Sequence, residues 1–161
     1  MRRLGFMLAV AALAAASHAG GPASARDSVP DASTGTPLSP DEIFRLYQGR
    51  SWMWSQGAGY FSAKANRFTA WSGADGAVSH AEGHWFATAA GKLCFRATWR
   101  AQSGSSRNLT CFSHRKLGGV VFQKREPDGE WYVFRGNTGA ADEYLKLRPG
   151  NYVKARQPGY R

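Results

Sequence analysis

The two cysteines of the chain, Cys94 and Cys111, both fall in GKLCFRATWRAQSGSSRNLTCFSH, residues 91–114. Setting them opposite each other puts Phe95 against Thr110, Arg96 against Leu109, Ala97 against Asn108 and Trp99 against Ser106. The reversal then lands on Ala101–Ser105, a stretch with the small, polar and glycine chemistry of a hairpin loop. Strand alternation places Leu93, Phe95, Ala97 and Trp99 on one face, and Cys94, Arg96, Thr98 and Arg100 on the other. The segment therefore reads as a half-buried antiparallel hairpin with a cystine on its outer side. Closing a loop of this size stabilises a fold by roughly 3 kcal/mol.

A cystine requires an oxidising compartment, and the N-terminus supplies a route to one. Met1-Arg2-Arg3 followed by LGFMLAVAALAAA has the charged and apolar regions of a signal peptide. Ser17 and Ala19 fit cleavage after Ala19, and Ala23 and Ala25 offer a second site ending at 25. The apolar run is too short for a membrane span, and no cysteine follows it that could carry a lipoprotein anchor. Export by a Sec signal peptide to the periplasm or beyond is the expectation. Residues 20–38, rich in Gly, Pro, Ala, Ser and Thr with a single Val, read as a flexible leader. A single β-rich domain is expected over 39–155, and a frayed basic tail over 156–161.

Within the domain, Ser39-Pro40-Asp41-Glu42 is a helix start: a capping serine, proline in the first turn, and acids near the positive end of the dipole. Ile43, Phe44, Leu46 and Tyr47 give that helix an apolar face, and Gly49 ends it. From Ser51 the apolar period becomes two. Strands are expected at 51–55, 60–61, 67–71, 78–87 with a bulge or bend at Gly83, in the two arms of the hairpin within 91–114, and at 120–124 and 130–134. A helical turn at 140–145 and an edge strand at 151–154 follow. No connection is long enough for a crossover helix. The expected fold is thus all-β: an antiparallel meander closing into a small calycin-like barrel or a strongly curved sheet, preceded by one short helix, with a sandwich as the alternative.

Charge is distributed unevenly. Residues 91–161 hold fourteen Lys or Arg against five Asp or Glu, and residues 20–90 hold five against six. A basic half in an exported protein points to an anionic envelope glycan, a lipid or an acidic protein as partner, with nucleic acid excluded by location. Arg96, Arg100, Arg107 and Arg115 all lie on the cystine hairpin and are the candidate anion-binding residues. His80, Glu82 and His84 alternate along one strand and are the candidate set for a metal of the two-histidine, one-carboxylate type. No Gly-x-Ser-x-Gly elbow and no phosphate loop is present, and the carboxylates fall mostly at turns and helix starts. No cofactor and no catalytic residue is assigned. The six tryptophans, nearly one per strand, read as core.

Taken together, LYQGRSWMW, GAGYFSAKANRFTAWSG, GHWFATAAGKLCFRATW with CFSH, and REPDGEWYVF resemble the alphaproteobacterial secreted family called domain of unknown function 995, over about residues 42–153. The resemblance implies an exported, disulfide-containing protein and carries over no catalytic residue. The G-x-W and L-C spacing is also similar to small calycin-like and lysozyme-inhibitor-like barrels. The expected function is non-enzymatic binding of an anionic envelope component, in envelope or surface-polysaccharide maintenance. The alternatives are a small-ligand carrier barrel and a cell-wall-directed hydrolase or metalloenzyme.

Overall fold

Alternation of apolar and polar residues builds most of the domain. The computed structural model describes residues 31–73, 77–136 and 143–157. The expected signal peptide and the expected leader up to residue 30, the expected turn residues 74–76, residues 137–142 and the last four residues lie outside these.

Strands β2 (Arg50–Trp54), β3 (Gly57–Phe61), β4 (Arg67–Ser72), β5 (Ser79–Ala87), β6 (Lys92–Ala101), β7 (Gly104–Leu117), β8 (Val120–Arg125) and β9 (Tyr132–Arg135) pair antiparallel with their neighbours in chain order. Strand β10 (Leu147–Pro149) joins the outer edge of β2, and β1 (Thr36–Pro37) pairs with the end of β7. The sheet curls into a half-barrel, so the expectation of an all-β, strongly curved meander behind one helix holds. The β6–β7 register is the one derived from the cysteines, with Cys94 opposite Cys111 and Trp99 opposite Ser106. The loop is shorter than expected: Ala101 pairs with Gly104, leaving Gln102 and Ser103 as the turn. At the other end of β7, Gly118 (φ +56°) and Gly119 (φ +84°) make the two-residue turn with both φ positive that matches the twist of a hairpin.

Helix α1 (Pro40–Tyr47) starts as its sequence dictates. Ser39 Oγ accepts from Glu42 N–H at 3.3 Å, and Glu42 accepts from Ser39 N–H at 2.8 Å, a reciprocal capping box. Ile43, Leu46 and Tyr47 are buried and seat the helix on the concave side of the sheet. There they meet Phe61, Phe68, Trp85, Leu93, Val121, Phe134 and Leu147 in one core.

Four expectations change. Gly83 makes no bulge, because the β5–β6 register runs unbroken from Ser79–Ala101 to Ala87–Leu93. A Cβ there would lie 1.9 Å from the Arg96 carbonyl oxygen, so the glycine serves close strand approach. Residues 31–38, expected as part of a flexible leader, pack on the domain: Ala32 and Leu38 are buried, and Leu38 N–H donates to the His114 carbonyl at 3.2 Å. Residues 151–154 form no strand, since Asn151 Oδ1 caps the turn that follows by accepting from Val153 and Lys154 N–H, and β10 at 147–149 takes the edge instead. Of the tryptophans only Trp85 is fully buried; Trp54, at the end of β2, is exposed.

Candidate functional site

The convex face of β4 to β7 gathers the residues singled out in the sequence. Antiparallel register sets His80 opposite Arg100, Glu82 opposite Thr98, and His84 opposite Arg96 across β5–β6. Across β6–β7, Thr98 faces Arg107 and Arg96 faces Leu109. On the other side of β5, Arg67 faces His84, adding a cation from the half of the chain that is not basic in sequence. Period-two alternation sends all these side chains outward. Arg67, Arg96, Arg100 and Arg107 are exposed, and among the described residues none has a carboxylate within ion-pair distance. Arg96 and Arg107 border a shallow depression of about 220 Å³ with Glu82, His84 and Thr98. Phe86 and Leu109 leave apolar surface exposed beside it. Such a face offers several guanidinium forks over a hydrogen-bonding floor, the chemistry that grips carboxylate or phosphate groups.

Arg115 does not join them. It lies on the same face of β7 but eight residues further on, about 27 Å at the rise of an extended strand. Its guanidinium donates to the carbonyls of Ser33 and, at 3.0 Å, Gly35, and lies 5.8 Å from the Trp131 ring centroid. It therefore anchors the segment before α1.

His80, Glu82 and His84, the candidate metal set, share one face of β5. Among the described residues no group of three or more potential ligands gathers anywhere. His80 instead holds the C-terminal segment, its Nε2 lying 2.6 Å from the Arg156 carbonyl, and the Arg156 guanidinium lies 4.9 Å from the centroid of Trp71. The Gln157 amide donates to the Ala70 carbonyl at 3.2 Å. Together these contacts fix the C-terminal turn on the convex face.

Inside the curl lies a polar chain that sequence reasoning did not find. The Tyr132 hydroxyl donates to Gln123 Oε1, and Gln123 Nε2 donates to the Tyr47 hydroxyl at 2.7 Å. The Tyr47 hydroxyl and Gln123 Nε2 each lie 2.7 Å from His114 Nε2. The Gln123 amide nitrogen can only donate, so Nε2 accepts, and Nδ1 is buried with no hydrogen-bond partner among the described residues. Burial lowers the His114 pKa to about 4 and raises those of Tyr47 and Tyr132, so all three stay neutral at neutral pH. Rings surround the network: Tyr47 contacts Phe61, His114 and Phe134, and Phe68 stacks on Phe95 at 4.3 Å. Among the described residues, aromatic and aliphatic side chains pack the centre of the curl. The one sequence signal for this network was Gln123, polar at an inward position two residues after Val121 on β8.

These features belong to a recognisable sequence type. A family described as "Protein of unknown function (DUF995)" matches residues 6–153. The chain is a member of that family. The match spans the cystine hairpin, the helix cap and every residue of the convex face named above, so the DUF995 sequence pattern and this half-barrel coincide. No curated protein and no solved structure matches the chain. Cys94 and Cys111 are disulfide-bonded, and among the described residues no helix is long and apolar enough to cross a membrane.

Proposed function

We propose that this DUF995 member is an exported, non-enzymatic binding protein that holds an anionic component of the cell envelope against its convex face, in envelope or surface-polysaccharide maintenance. The observation that carries the reading is the convergence of Arg96, Arg100 and Arg107, with Arg67 beside them, on one face, none of them ion-paired to a carboxylate among the described residues. The net charge of +10 adds long-range attraction for polyanions. The signal-peptide pattern of residues 1–19 and the disulfide support a periplasmic or secreted location. The absence of a gathered catalytic or metal set among the described residues adds no support for the hydrolase reading, and nothing in the convex face favours it.

Binding of this kind is sensitive to salt. The purified protein is to be incubated with envelope extract, and separately with lipid A vesicles, an acidic polysaccharide and polyglutamate, at about 50 mM and about 500 mM salt. One probe is expected to bind at low salt and release at high salt. Replacing Arg96, Arg100 and Arg107 together by Glu is expected to weaken that binding at least on the order of tenfold. Binding that ignores both salt and the triple replacement would sink the proposal.

A further inference from the structure

A second site lies away from the convex face, where α1 meets the rim of the curl. A cleft of about 670 Å³ opens between α1, the β7–β8 turn, β9 and the turn at 143–146. That volume is in the range of small-molecule sites. Its lining has two distinct parts. Leu117 and Tyr144, half-buried, present apolar surface to the cleft above the edges of the buried core residues Leu38, Leu46 and Val121. Arg45, from the exposed side of α1, and Arg135, from the end of β9, supply the charge.

The other two charged lining residues neutralise each other. Glu42 and Lys116 join two walls of the cleft through a 2.6 Å ion pair. The Lys116 ammonium is the main cause that holds the Glu42 carboxyl down to about 2. Arg45 and Arg135 have no carboxylate partner among the described residues. Arg135 lies 5.3 Å from the Tyr144 ring centroid, which positions its guanidinium without neutralising it. The cleft thus offers apolar surface next to two cations that have no carboxylate partner among the described residues.

We propose that this cleft binds a single-chain amphiphile with an anionic head, carboxylate or phosphate, its tail against Leu117 and Tyr144 over the edges of Leu38, Leu46 and Val121, and its head between Arg45 and Arg135. Neither half of such a ligand suffices. An apolar chain alone leaves the arginines without a partner, and a small anion alone leaves the floor wet. A rigid polyanion would find the convex face instead. The two sites share no residue, so this inference stands apart from the reading of the convex face.

Four probes below their micelle concentrations separate the contributions: dodecanoate, dodecyl phosphate, dodecanol, and inorganic phosphate alone, each titrated by calorimetry into the purified full protein. One or both charged amphiphiles are expected to bind at least tenfold more tightly than dodecanol or phosphate, and the stronger of the two identifies the head. The double variant Arg45→Gln with Arg135→Gln is expected to weaken the charged amphiphile about tenfold and to leave dodecanol within twofold. Leu117→Asp, on a half-exposed wall, is expected to weaken both. Circular dichroism establishes that each variant is folded. The triple replacement of Arg96, Arg100 and Arg107 by Glu is expected to leave amphiphile binding within twofold. Binding of both charged amphiphiles no tighter than that of dodecanol, no binding of either charged amphiphile, or loss of binding only in the convex-face variant would each overturn the proposal.

Discussion

Burial holds the His114 imidazole neutral down to a pKa of about 4, whereas an unfolded chain takes up that proton near 6.5. Between those values the unfolded chain binds more protons, so stability falls as pH drops from about 6.5 towards 4. At 1.36 kcal/mol per unit the full loss is about 3 kcal/mol, and above 6.5 the contribution is complete. Glu42 and Glu126, whose pKa values are lowered by hydrogen bonds from Lys116 and Ser113, lose their contributions only at lower pH, below the ordinary carboxylate range. Urea midpoints at pH 7.5, 6 and 4.5 are expected to decline for the natural protein. In His114→Gln the midpoint is expected to be lower at pH 7.5 and nearly flat over the same range; an unchanged slope would assign the titration elsewhere. Gly83 is a second decisive residue. Gly83→Ala places a methyl 1.9 Å from the Arg96 carbonyl oxygen, which cannot move without parting β5 from β6. The expected cost is about 3 kcal/mol, at the top of the overpacking range, read as a lowered thermal midpoint. The sequence marked Gly83 as unusual but could not say why, because the contact it permits is with a residue on another strand.

The β6–β7 hairpin shows how much a local pattern can carry. Two cysteines seventeen residues apart, alternation on each side and a polar, glycine-containing middle were enough to derive its register residue by residue. The cross-link acts on that element: Cys94→Ser with Cys111→Ser is expected to lower stability by about 3 kcal/mol. Denaturant midpoints of the natural protein with and without reductant provide the check, and equal midpoints would remove the cystine from the account. Helix α1 was equally legible, since its capping serine, its proline and its acids act within one turn. Ser39→Ala is expected to cost about 1 kcal/mol through loss of the capping box, measured by the same midpoint. Elements after Gly136 were read less well. Residues 147–149 become a strand because the outer edge of β2 lies open to them, a reason absent from their own composition.

For the whole molecule, linear charge asymmetry is a poor guide to where charge ends up. The basic half of the chain sends Arg96, Arg100 and Arg107 to the convex face, Arg115 to the segment before α1, Arg156 to Trp71 and Arg135 to the rim cleft. The other half contributes Arg67 to the convex face and Arg45 to the cleft. A test at this scale compares the triple Arg96, Arg100, Arg107 replacement with a control that reverses exposed Arg125 and Arg148. If location matters and not net charge, the loss of polyanion binding per reversed charge is expected to be several-fold greater for the first set. Equal losses per charge would reduce the convex face to a contributor to overall charge.

What the sequence by itself determined is what depends on near neighbours along the chain: period-two strands, the capped helix, the turn chemistry, and a hairpin register set by two cysteines. Tertiary structure alone decided which distant residues meet. Tyr47 and His114 come together across 67 positions of sequence, His80 is claimed by the Arg156 carbonyl, and the cleft exists only where a helix lies against the rim of a curled sheet. Backbone geometry repeats every two residues and can be counted from a string of letters, whereas the curl that brings α1, β7, β8 and β9 around a shared interior follows from the summed twist and packing of all the strands.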